Sequence, residues 1–517
     1  MKIPAIDSII HKKKKQDFTK KSRCAFSLIG TFYIVCHCNE IYAVNWTVRP
    51  YVQAQEVFSD NITLAQQESK KSAFVTELSP GISVLGQGGR TNLNLIYQLQ
   101  NLYNARGSND VSTNNQLRFS TRNILVPNKF FLNSTSSISQ QNTSNNQIAN
   151  DNISGSGDRT DVKTFSISPY WTPQFGNYAR GNFNLNFSSL STGLNNSTSN
   201  TFSDTQNYQE SAQLSSGSEF KIITWSLFFN NSESQRSRSS NVTFQSLNGT
   251  IRANVSNHFN FFIQSGFSEN QFQSTADSSR NGTFYTYGVQ WKPSRYYSIQ
   301  GGWGNNKYVT LSLNPMQRLS WVITYRDNSI GLNSGTNWLT RLYYQTGRSI
   351  WTLTHDVDTT TTQQILFQQV NIDNPDTPFV DNTPALIPTF NDEVIVRKTW
   401  NFSVNFRTGK SSLGASAFNE DRNFQTTGNN EKISGINGYW NWRFASRTSA
   451  FLSPGWSQID RGSSDKDNRY NFSVGINRSI TDRIYGRIQF SHLNQDSADP
   501  TRTYQENRAT ANLSMRF

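Results

Sequence analysis

Histidine and cysteine are scarce in this chain, and their positions limit what chemistry they can do. There are three cysteines, Cys24, Cys36 and Cys38, all near the amino terminus, and only three of the five histidines, His258, His355 and His492, lie beyond residue 45. No H-x-x-x-H or C-x-x-C spacing occurs, so the sequence gives no basis for a transition-metal site. In FSHLNQD, Ser491 and His492 are adjacent. Neighbours on a strand point to opposite faces, which keeps the imidazole away from the hydroxyl and argues against a nucleophile with its base. Asp373, Asp376 and Asp381 in DNPDTPFVDN could offer oxygen ligands to Ca²⁺, but acids without loop-glycine geometry are more often simply solvated. The sequence therefore assigns no catalytic, cofactor or metal residue, and the expectation is a protein that is not an enzyme.

Arginine is more informative. If the apolar strand faces turn to lipid, then Arg326, Arg341, Arg397, Arg407, Arg443, Arg483, Arg487, Arg508 and Arg516 all turn inward. DRIYGRIQF shows the division, with Ile484, Ile488 and Phe490 on one face and Arg483, Tyr485, Arg487 and Gln489 on the other. An arginine facing lipid near the midplane costs ~2–4 kcal/mol, so inward placement is required. Two readings of the set stand. The arginines pair with inward Asp and Glu as part of the wall, or they form a cationic passage or binding surface for acidic glycans or other anions.

The elements that would position these residues are strands. The mean hydropathy is −0.62 and only 35% of residues are hydrophobic, yet aromatics reach 13%. A chain too polar to fold is normally short of such rings. Alternation with period two recurs, as in TWNFSVNFRTGK, where Trp400, Phe402, Val404 and Phe406 oppose Asn401, Ser403, Asn405 and Arg407. That is the signature of half-apolar antiparallel strands, and no helical periodicity competes with it. Connections divide into short turns, such as those near Pro293, Pro315, Gly409 and Arg447, and long polar ones, chiefly about 131–160 and 372–392. A transmembrane antiparallel β-barrel of the outer membrane shows that asymmetry. The expectation is an all-β barrel over 44–517 with roughly 18–22 strands, an even number, and a lumen wide enough to hold water or a plug. The final RATANLSMRF reads as its last strand, closing against the first near Trp46. Its Leu513, Met515 and terminal Phe517 resemble the signal by which the barrel-assembly machinery recognises its clients.

The first 43 residues, with a lysine-rich start, an apolar run from Cys24 to Cys38 and the tripeptide Ile41-Tyr42-Ala43, fit a secretory signal peptide. The net charge of +13 falls to about +8 without them, spread along the chain, so nucleic acid is not an expected partner. The expected location is the outer membrane of a Gram-negative cell, with its lipid and lipopolysaccharide as surroundings.

Several motifs add a family resemblance. They are W-x-V-x-P (Trp46, Val48, Pro50), the S-D-N-x-x-L-A run from Ser59 to Ala65, FVTELSPGIS from Phe74 to Ser83, and GGRTNLNLIY. With SPYWTPQFGNYARG and the segment from Asn391 to Gln425, these resemble the outer-membrane β-barrels found with PEP-CTERM/exosortase protein-sorting and exopolysaccharide systems. The resemblance implies a barrel acting beside such machinery, with acidic polysaccharide or exosortase-system components as partners and no cofactor. The chain departs from the pattern in its long lysine-rich start and in a Ser/Asn-rich stretch, 133–158, that reads as an insertion. The other readings are an anion-preferring diffusion porin, or a surface adhesin or receptor using the two long loops.

Overall fold

Each alternating segment forms a strand hydrogen-bonded to its sequence neighbours, and together they close on themselves. The computed structural model describes residues 44–105, 111–143, 148–149, 151–155, 159–193, 202–272, 281–372, 391–462 and 465–517. The wall is a closed antiparallel barrel of 24 strands. The two-residue ladder Gln174–Phe175 only braces the foot of strand Ala179–Thr192. The signal-peptide expectation and Asp373, Asp376 and Asp381 lie outside the described residues.

Closure is made by the last strand, Tyr504–Arg516, lying against the first, Val44–Ser59. The paired register runs from Tyr51 opposite Arg516 to Ser59 opposite Arg508, with the Phe517 N–H donating to the Pro50 carbonyl at 2.9 Å. Trp46 therefore sits below the seam, not at it, and pairs only with Gly86 of the second strand, Ala73–Gly88. Closure removes both sheet edges and satisfies the backbone polar groups that lipid could not.

The faces divide as the alternation requires. On strand Phe259–Gln271, Phe259, Phe261, Ile263 and Phe267 are exposed on the outside, while Asn260 is buried on the lumen side. Short turns and both strand termini share one end of the barrel, which in proteins of this architecture faces the periplasm. The longer connections occupy the other, extracellular end.

The strand count exceeds the expected range because two kinds of wall escape a hydropathy pattern. Strand Phe130–Asn142 falls in the stretch read as a loop and insertion, and its outer face carries serines. Ser134 and Ser136 donate to the Ser166 and Thr164 carbonyls of the next strand, both at 2.9 Å, so these hydroxyls are satisfied without water. Strand Thr205–Ser216 is almost as polar. Elsewhere, stretches read as long loops are largely tall strand ends. The polar segment NEDRNFQTTGNNEK, 419–432, which by sequence also reads as a long connection, leaves only 425–429 between strands Ser411–Phe424 and Asn430–Ala445.

One helix, Thr362–Ile372, corrects the expectation of strands alone. Its start is a reciprocal cap, with Gln364 N donating to Thr361 Oγ1 (3.2 Å) and Thr361 N donating to Gln364 Oε1 (3.1 Å).

Candidate functional site

The lumen has two unlike halves, and the distribution of carboxylates separates them. Every Asp and Glu carried by a described wall strand lies in the half of that strand nearer the extracellular end. Arginines project inward in both halves.

In the extracellular half, connections fold back against the inner wall of the barrel. Inward apolar residues near the strand tops, such as Val57, Val75 and Leu102, are covered by Ile62 and Ile153 from two different loops. Ile148 packs on Ile433 and Ile459, and Leu64 and Ala149 pack on Leu493 and Tyr504. The helix buries Leu366 against Val162, Leu190 and Phe202, and Ile365 against Ile395 and Phe424. It also touches strand Phe130–Asn142, which stands half-way round the wall from Ser349–Thr361, the strand leading into the helix. Asp392 ties three connections together, accepting from Ser203 N at 2.8 Å, from Gln363 Nε2 at 2.5 Å and from the Ser203 and Ser239 hydroxyls. Each isoleucine or leucine buried this way contributes roughly 1.5–3 kcal/mol relative to exposure. The cap is thus a packed structure with its own cores.

A buried ion pair latches one side of the cap. Arg508 Nη1 and Nη2 reach Asp151 Oδ2 and Oδ1 at 2.5 and 3.2 Å, and Nη2 also donates to Ser154 Oγ at 2.7 Å. Glu506 accepts from Ser154 and Ser59 at 2.5 and 2.6 Å, so the first strand, the last strand and the loop meet there. Burial pushes the Asp151 carboxyl up, but the Arg508 charge and hydrogen bond, the Ile153 N–H and the Arg159 charge outweigh it and hold the carboxyl below its ordinary value. A depressed folded value stabilises the docked loop above the ordinary 3.8, and that contribution is lost as the pH falls through the depressed value. Channel conductance should therefore be level from neutrality down to the ordinary Asp value and rise below it. Asp151→Asn should show the raised conductance already at neutral pH, as checked by single-channel recording across the pH range.

The nine arginines singled out from the sequence do not form one surface. Arg508 belongs to the latch and Arg397 is paired with Asp358 at 3.0 Å and Glu420 at 3.9 Å, so both are part of the wall's own ion pairing. Arg341 stands 3.8 Å from Asp356 at the boundary between the halves, and Arg326 lies inward above it, opposite Tyr308. Arg483 is not on a strand. Its N–H and that of Ile484 donate to Thr481 Oγ1, which turns the chain just before strand Ile484–Ser497 begins. Arg407, Arg443, Arg487 and Arg516 remain in the lower lumen. Leu513, Met515 and Phe517 are exposed on the outer face of the closing strand.

Other arginines join the lower set. Arg49, Arg122, Arg180 and Arg252 project inward from the amino-terminal half of the wall. The same parity rule finds them: in ARGNFNLNFSSLST, Phe183, Leu185 and Phe187 face out and Arg180 faces in. In the periplasmic half, among the described residues, the only side-chain carboxylates are Glu219 and Asp482, both in periplasmic turns. The lower lumen is thus a basic vestibule with amide and hydroxyl walls.

Gly475 shows how tightly one of these arginines is seated. The Phe451 ring lies over it and carries the Arg487 guanidinium 4.4 Å from its centroid. A Cβ at Gly475 would fall 2.4 Å from the Ile488 carbonyl oxygen and 2.6 Å from Phe451. Gly475→Val is expected to cost about 1–3 kcal/mol by overpacking and to lower the temperature at which the barrel loses its folded gel mobility.

No protein-family model matches the sequence, and no curated protein matches it either. Among solved structures the chain is similar to the siderophore receptor PirA from Acinetobacter baumannii, at 9% identity over 91% of this chain and 81% of that one (TM-score 0.44). It is similar to the apoprotein form of the FrpB iron transporter from Neisseria meningitidis at 8% identity, covering 91% and 81% (TM-score 0.45). A loop-deletion mutant of OmpT, an outer membrane protein of Vibrio cholerae, aligns at 7% identity over 91% and 99% (TM-score 0.31). The barrel itself is established by the closed ladder described above.

Proposed function

We propose that this outer-membrane barrel is a non-enzymatic conduit that receives acidic polymers or smaller anions from the periplasmic side and is gated by its extracellular cap. The observation that carries this reading is the confinement of all strand carboxylates to the extracellular half, which leaves a basic vestibule below. A single-sign lining concentrates counter-ions at the mouth and favours their entry. The family resemblance adds the setting, export or assembly of exopolysaccharide alongside PEP-CTERM/exosortase sorting. Deleting the gene should reduce acidic polysaccharide on the cell surface, while unchanged surface glycan in the deletion strain would contradict that setting.

The outward row Leu513, Met515 and Phe517 supports recognition by the barrel-assembly machinery, in lipid and lipopolysaccharide surroundings. Removal of Phe517 should lower the yield of heat-modifiable barrel in outer-membrane fractions, and a normal yield would refute this role.

A further inference from the structure

Two periplasmic turns, 172–178 and 217–222, are longer than the others, and they wall a cavity of about 650 Å³ at the foot of the lumen. Arg180 and Arg252 both line it, together with Gln174, Asn177, Ser226 and Thr250. A smaller cavity of about 310 Å³ shares Gln174, Arg180 and Ser215 with it. Both guanidinium groups are positioned by neutral partners. Arg252 Nη1 donates to Asn260 Oδ1 and Gln290 Oε1, each at 2.7 Å, and the group sits 5.5 Å from the centre of the Phe262 ring. Arg180 Nε donates to Ser215 Oγ at 3.2 Å. The one carboxylate in these turns, Glu219, accepts from Asn177 at 3.4 Å, and Lys221 follows it two residues on.

We propose that this cavity is a binding subsite for one acidic sugar unit, with its carboxylate received by Arg180 and Arg252. Two guanidinium groups lining one space suit a carboxylate, since charge-assisted bonds to guanidinium are the strong, directional ones. The space is far larger than a bare anion needs, and its amides and hydroxyls match the hydroxyls of a sugar ring. Phe220, also lining the cavity, adds an aromatic surface for the ring's apolar face. The subsite rests on the conduit reading and places the first contact with the polymer at the periplasmic mouth.

The test is current block in planar bilayers, with a galacturonate trimer, maltotriose or glucose 1-phosphate added on the short-turn side. The uronate should block at a concentration at least roughly ten-fold below that of maltotriose, the effect of one or two charged hydrogen bonds. The Arg180→Gln, Arg252→Gln protein should lose that advantage and keep its anion preference, because the other lower-lumen arginines remain. Arg180→Gln alone, which gives up only the bond to Ser215, should shift block in the same direction and guards against a folding defect in the double variant. Equal block by maltotriose, block unaffected by either variant, or block by the sugar phosphate but not by the uronate would each overturn the subsite. Wild-type channels without anion preference but with uronate block intact would overturn the conduit reading and leave the subsite standing.

Discussion

Replacing Arg508 with methionine should raise the single-channel conductance several-fold and leave the barrel folded. Arg508 is 7% exposed and makes the only direct ion pair from the closing strand to the loop carrying Asp151, among the described residues. Removing one partner of a buried pair costs about 3–5 kcal/mol, because the other is left as an uncompensated buried charge. Here the change would take from Asp151 and Glu506 their nearest cation, leaving them the weaker charges of Arg159 and Arg469. The loop can relieve this by leaving the wall, whereas the closing strand cannot, because twelve paired residues hold it on one side and nine on the other. The apolar anchors Ile148 and Ile153 oppose release with roughly 1.5–3 kcal/mol each, so the two effects are comparable and the docked population should fall sharply without vanishing. Conductance equal to wild type, with the folded gel mobility retained, would show that the loop does not gate the lumen.

The second large effect concerns selectivity. Changing Arg49, Arg122, Arg407 and Arg516 together to glutamine should lower the anion-to-cation permeability ratio markedly, the residual preference coming from Arg180, Arg252, Arg443 and Arg487. All four project into the half of the lumen that contains no strand carboxylate, so no local acid compensates for their loss. The same four changes should leave the extracellular half unaltered, because its pairs, Arg397 with Asp358 and Arg422 with Glu431, are internally balanced. Screening sharpens the expectation. The Debye length is about 10 Å at 0.1 M salt and about 3 Å at 1 M, so the wild-type preference should be strong in dilute salt and fade in concentrated salt. A ratio unchanged by the four substitutions would place the selectivity elsewhere.

Much of the wall was legible in the sequence because lipid imposes a strict rule on strands such as Val394–Arg407, whose outer face must be apolar. The rule weakens where a serine can donate to a neighbouring carbonyl, as Ser134 and Ser136 do, and there a wall strand read as a loop. It also fails above the membrane, where strands such as Asn430–Ala445 continue with polar residues on both faces. Inward arginines followed from parity alone, but their partners did not. Asp151 and Arg508 are 357 residues apart in the chain, and nothing in either segment announces the other. The helix left one local signal, the T-x-x-Q cap at Thr361 and Gln364, in a stretch where alternation had already stopped. The segregation of carboxylates became visible only once the register showed which end of each strand faces the long connections.

The most direct test of the basic vestibule is the reversal potential of single channels in a KCl gradient around 0.1 M, where charges are screened over about 10 Å. It should be recorded for the wild type and for the Arg508→Met protein, whose Asp151 loop is less often docked. A potential close to the chloride equilibrium value in both is the predicted result. A potential close to that of potassium, a value near zero, or no conductance in either protein would contradict it.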